Sequence, residues 1–81
     1  MKTEPIIKAE QPAIGQLIRA LRQELGLTQE QFAHELGVRL LTVSRWERFN
    51  SKPSPLALKV IEYKVAELNE RGNELVQEYF G

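Results

Sequence analysis

Eighty-one residues bound the chain to one domain, and at that size only roughly 60% of the unfolded surface is buried on folding, so it needs an efficient helical core or a partner. The absence of cysteine excludes disulfides and thiolate metal sites, and the single His34 is too little for a zinc site. A formal net charge of zero lacks the strongly basic footprint of many nucleic-acid binders.

The zero average conceals a gradient. Residues 17–59 hold seven basic side chains (Arg19, Arg22, Arg39, Arg45, Arg48, Lys52, Lys59) against four acidic ones (Glu24, Glu30, Glu35, Glu47). Residues 60–81 hold two basic side chains, Lys64 and Arg71, against five acidic ones, Glu62, Glu67, Glu70, Glu74 and Glu78. The two halves therefore face different surroundings.

Residues 1–11 are polar, with Ile6 and Ile7 isolated and no sustained period, and read as a flexible arm. They carry neither the apolar core of a signal peptide nor an arginine-rich amphipathic pattern. No run of about 18 apolar residues occurs anywhere, so a cytoplasmic protein without membrane contact is expected. Pro12 sits where a first helical residue often sits, and Ile14, Leu17, Ile18, Leu21 and Leu25 then line one face of a helix that stops at Gly26.

Thr28 and Gln31 form a capping box for a second helix over about Gln29–Leu36, with Leu27 placed to staple against Phe32. Gly37 suits the left-handed conformation that ends it. A third helix is expected over about Leu40–Phe49, with Val43, Trp46 and Glu47 inward and Leu41, Ser44, Arg45 and Arg48 outward. Pro53 forbids its continuation, and Ser54 caps a fourth helix that opens with Pro55.

From there Leu58, Ile61, Val65, Leu68, Gly72, Leu75 and Tyr79 recur at alternating spacings of three and four, a heptad seam. Gly72 admits two readings: it breaks the seam near Arg71, with Asn73 capping a fifth helix, or it lets a second helix approach closely. The chain divides as a 1–11 arm, a 12–71 domain and a 72–81 helical extension. No segment alternates as a strand would, so the fold is all-α with four to five helices.

The residues Leu21-Arg22, Gly26-Leu27-Thr28-Gln29, Phe32-Ala33, Leu36-Gly37-Val38, Thr42-Val43-Ser44-Arg45-Trp46-Glu47 and Lys52-Pro53-Ser54-Pro55 carry a resemblance. Over roughly residues 13–68 the chain resembles the Cro and phage-repressor type of helix-turn-helix DNA-binding domain, particularly small bacterial regulators and antitoxins. The resemblance implies a compact lambda-repressor-like domain, here with an extended C-terminal helix. It also implies that the third helix enters the major groove of double-stranded DNA.

On that resemblance Arg39, Leu40, Leu41, Ser44 and Arg45 face base edges, while Gln29, Thr42, Arg48 and Lys52 hold phosphates. Arg45 suits bidentate recognition of guanine, with phosphate contact or plain solvation as the alternatives. Arg22 and Glu47 match positions that pair between the first and third helices. Leu40 and Leu41 stand where polar residues are usual; they suit thymine methyl groups or a protein-binding patch, and Leu40 equally suits the core. Arg39 replaces the usual capping serine or threonine, and its charge opposes the helix dipole unless an anion neutralises it.

Phe49 replaces a frequent glycine and resists the left-handed conformation, so Asn50 is expected to take that role. Trp46 reads as core, and His34 as an exposed residue of the second helix. There is no aspartate, no cysteine nucleophile and no phosphate-cradling glycine loop, so no enzyme activity, cofactor or metal is expected.

Two functions remain in view. One is a sequence-specific regulator, a repressor in the simplest case, acting as a homodimer on a palindrome through Leu75, Val76, Tyr79 and Phe80 beyond Gly72. The other is a helix-turn-helix protein-interaction module or antitoxin-type adaptor, which the zero net charge and the leucine pair favour.

Overall fold

The apolar spacing resolves into five helices and no strand among the described residues: α1 (Ala13–Glu24), α2 (Gln29–Leu36), α3 (Leu40–Glu47), α4 (Pro55–Glu67) and α5 (Glu70–Phe80). The computed structural model describes residues 7–81. On α1, Ile14, Leu17, Ile18 and Leu21 fall at the three-and-four spacing of one face and are fully buried. Around them close Phe32 and Ala33 of α2, Val43 and Trp46 of α3, Ala57, Ile61 and Val65 of α4, and Leu75 and Val76 of α5. Each large side chain so buried is worth about 1.5–3 kcal/mol, which is how a chain this short sustains a fold.

The helix ends follow from local chemistry. Thr28 accepts a hydrogen bond from the Gln31 amide while the Gln31 side chain accepts one from the Thr28 amide, completing the capping box of α2. Gly37 ends that helix at φ 72°, and the Val38 amide reaches back to the Ala33 carbonyl at 3.0 Å. Ser54 caps α4 through the Ala57 amide at 3.2 Å.

At the start of α1, Pro12 provides no side-chain cap, and the Gln11 amide oxygen accepts from the Gly15 N–H at 2.9 Å instead. The Gln11 side-chain NH2 donates to the Trp46 carbonyl at 3.0 Å and the Ser51 carbonyl at 2.6 Å. Ile7 packs against the core. The expected arm is thus anchored at its inner end, and its residues 1–6 lie outside the described residues.

The heptad seam divides before Gly72. α4 ends at Glu67, Asn69 takes φ 52°, and α5 begins at Glu70, so Asn73 lies inside a helix rather than capping one. Gly72 serves the second of its two readings: a Cβ there would strike the Val65 carbonyl, which lets α5 fold back against α4. The boundary expected at residue 72 falls within α5, which packs on α1 and α4.

Leu75 and Val76 point into this core, with 1% and 2% of their surface exposed. They are corrected from dimerisation candidates to core residues, because the early break turns the end of the seam inward. Tyr79 and Phe80 are half-buried against the same cluster.

Candidate nucleic-acid interface

α2 and α3 are joined by Gly37-Val38-Arg39, and half-buried Val38 anchors that turn to the core. α3 is then oriented from its inner side. Arg22 of α1 meets Glu47 through two parallel bonds, Nε to Oε2 at 2.7 Å and the terminal nitrogen to Oε1 at 3.0 Å. A third guanidinium bond reaches the Leu27 carbonyl at 3.0 Å. The hydrogen bond to Glu47 is the main cause holding the Arg22 guanidinium above its already high ordinary value. The pair ties α1, the α1–α2 turn and α3 together at a point where the Glu47 side chain is only 5% exposed.

Gln29 joins this network: its side-chain amide donates to Glu47 Oε1 at 3.1 Å. Expected only as a phosphate ligand, Gln29 is half-buried and engaged. A primary amide has two N–H donors, so this bond leaves the second one at the N-terminus of α2. Nothing at residue 29 alone signals the bond, although Gln29 and Glu47 both lie beside the Arg22 position.

The exit from α3 is set by Phe49, which itself adopts φ 65°. The expectation that Asn50 would take the left-handed role is corrected. The Phe49 amide donates to the Trp46 carbonyl at 3.1 Å and the Asn50 amide to the Arg45 carbonyl at 2.8 Å, the paired closure usually made by glycine. Phe49 can do this because its ring packs over Gly15, where a Cβ would collide with both the ring and the Trp46 carbonyl. Gln11 closes the same corner, and its role was missed. The only local hint is a long amide just before a helix that begins with proline and carries no hydroxyl cap.

The outward side of α3 is the opposite case. Leu41, Ser44, Arg45 and Arg48 share one face, with Arg39 and Leu40 at its leading end and Lys52 in the turn toward α4. Arg39, Arg45, Arg48 and Lys52 are exposed and form no ion pair among the described residues; Arg48 only reaches the Ser44 carbonyl, at 3.4 Å. Thr42 and Ser44 are half-buried on its flank. Leu40 and Leu41 are 47% and 50% exposed, so Leu40 does not turn into the core. Arg39 provides no side-chain cap.

Ion pairs elsewhere sharpen the charge gradient. Glu24 is held by Arg71 at 3.0 Å, Glu35 by Lys64, and Glu47 by Arg22. Of the four acids in residues 17–59 only Glu30 is unpaired among the described residues, against Arg19, Arg39, Arg45, Arg48, Lys52 and Lys59. The positive potential that zero net charge conceals therefore survives folding and includes the outer side of α3.

A family model described as helix-turn-helix matches residues 18–62, more than half of the chain. The chain belongs to the Cro and phage-repressor type of helix-turn-helix family. The matched region runs from within α1 to within α4 and leaves α5 outside it. Comparison with curated proteins and with solved structures returns no match. The family is one of DNA-binding regulators, and α2 and α3 are the two helices of its motif here. No described helix is long and apolar enough to cross a membrane, and no cluster of metal-ligating side chains occurs among the described residues.

Proposed function

We propose that this helix-turn-helix protein is a small cytoplasmic transcriptional regulator, a repressor in its simplest mode, that binds double-stranded DNA sequence-specifically as a homodimer. It acts by occupying an operator and catalyses nothing. The observation that carries this reading is the pairing of a fully engaged inner face of α3 with an outer face whose arginines have no partner among the described residues.

α3 lies in the major groove with Arg45 directed at guanine, whose two acceptors match the guanidinium fork. Leu41, one turn earlier, packs on a thymine methyl group, and Leu40 and Ser44 border the same base edges. Arg39, Thr42, Arg48 and Lys52 engage flanking phosphates. Gln29 uses its second amide proton for a phosphate at the start of α2 while Glu47 holds the first.

Selection of duplexes from a random pool, followed by salt titration on a selected site, tests the proposal. Binding should weaken steeply with salt, because each phosphate engaged releases counterions. No binding at low salt, together with an Arg45→Ala variant that behaves as wild type, would sink it. The exposed Leu40–Leu41 pair favours a second reading, a protein-interaction module or antitoxin-type adaptor. That reading predicts no salt-sensitive affinity for duplex DNA.

A further inference from the structure

Pairing two recognition helices on a palindrome needs a contact face, and α5 has spent its apolar residues on the core. Among the described residues five large apolar side chains remain exposed: Leu40, Leu41, Phe49, Leu56 and Tyr63. The first two belong to the outer side of α3, and Phe49 packs over Gly15. The other two are the most exposed, at 77% and 71%. They sit on α4 seven residues apart, with half-buried Val60 between them at helical spacing.

α4 thus has two apolar faces. Ala57, Ile61 and Val65 fill the core on one, while Leu56, Val60 and Tyr63 line the opposite one, which no element among the described residues covers. A helix apolar on both sides is suited to burial on both.

We propose that this outer face of α4 is the homodimer interface, occupied by a second copy of the chain. The charges beside it argue for self-recognition. Lys59 precedes Tyr63 by four residues and Glu67 follows it by four; both are exposed, and neither forms an ion pair among the described residues. In an antiparallel pair with its two-fold axis at Tyr63, residues equidistant from the axis meet. Lys59 then stands opposite the partner subunit's Glu67, and the same contact recurs on the other side. Binding an unrelated protein would need no such mirror within one helix.

A 13-residue helix is about 20 Å long, too little to bury the roughly 1,600 Å² of a standard interface. The dimer is therefore weak in free solution and strengthened when both copies occupy adjoining half-sites. Its purpose rests on the DNA-binding reading, but its existence does not.

Sedimentation equilibrium of the full chain without DNA, from micromolar to near-millimolar, provides the test. Wild type should pass from monomer to dimer. Tyr63→Glu should remain monomeric and, at concentrations where the wild type is also monomeric, should keep its melting temperature, since the side chain lies outside the core. Lys59→Glu should weaken association about tenfold, and Lys59→Glu combined with Glu67→Lys should restore it. A wild type that is monomeric throughout, association indifferent to Tyr63→Glu, or failure of the double reversal to recover would each overturn the proposal. Salt titration on random duplexes separates the two ideas. Loss of DNA affinity with dimerisation intact refutes the functional reading alone, whereas salt-dependent DNA binding by a wild type that never dimerises refutes this interface alone.

Discussion

The two sides of α3 obey opposite rules. On the inner side Val43 and Trp46 are buried and the Glu47 carboxylate accepts from Arg22 and Gln29. On the outer side Arg39, Arg45 and Arg48 project beyond exposed leucines with no ion-pair partner among the described residues. The segment from Arg39 to Arg48 thus divides between an inner side engaged within the molecule and an outer side without ion-pair partners among the described residues. Substitutions on the two sides should affect different observables.

The largest effect is expected inside. Trp46→Ala empties a site that is 2% exposed and should cost about 3–5 kcal/mol in urea unfolding. That is a large part of the total stability of a small domain. Next comes Glu47→Ala, which strands the Arg22 guanidinium and should cost about 2–3 kcal/mol, whereas Arg22→Met with Glu47→Leu should be much milder because no uncompensated charge remains. If the double replacement proved as damaging as the single one, the pair would matter for more than its mutual neutralisation.

On the outer side, Arg45→Ala should leave the unfolding midpoint unchanged while removing about 1–3 kcal/mol of discrimination at one base pair of a selected site. A fall in stability instead would erase the distinction between the faces. Lys52→Ala should weaken binding evenly across sequences and lower the salt slope by about one.

The smallest effect concerns Lys64, which lies away from α3. Its hydrogen bond to Glu35 raises the Lys64 pKa above the ordinary lysine value, so its contribution is complete below about pH 10.4 and lost as pH climbs through the elevated folded value. Unfolding titrations at pH 8 and above pH 11 should show this alkaline loss, and Lys64→Met should shrink it. The group's exposure keeps the effect small.

The features legible in the sequence are those decided by neighbours along the chain. Thr28 with Gln31, Gly37, and Ser54 with Pro55 announce their helix ends because caps act within one turn. Arg22 with Glu47 was legible through family resemblance, and the outward stripe of α3 through helical period. Features that depend on another element's approach were not. Gln29 differs from an unengaged glutamine only because Glu47 arrives beside it, and Phe49 can adopt its backbone because Gly15 makes room for the ring. The end of the seam misled for a related reason: its period is the same whether Leu75 and Val76 meet a second chain or their own α1. Only the reversal at Asn69 decides between them.

Phe49 carries one more consequence. With glycine at its place the C-terminal end of α3 would turn on a swivel, with no side chain to hold its pitch. The aromatic ring wedged over Gly15 makes that joint a chock, braced further by Gln11. The tilt of α3 against α1 is therefore held by contacts within the protein itself.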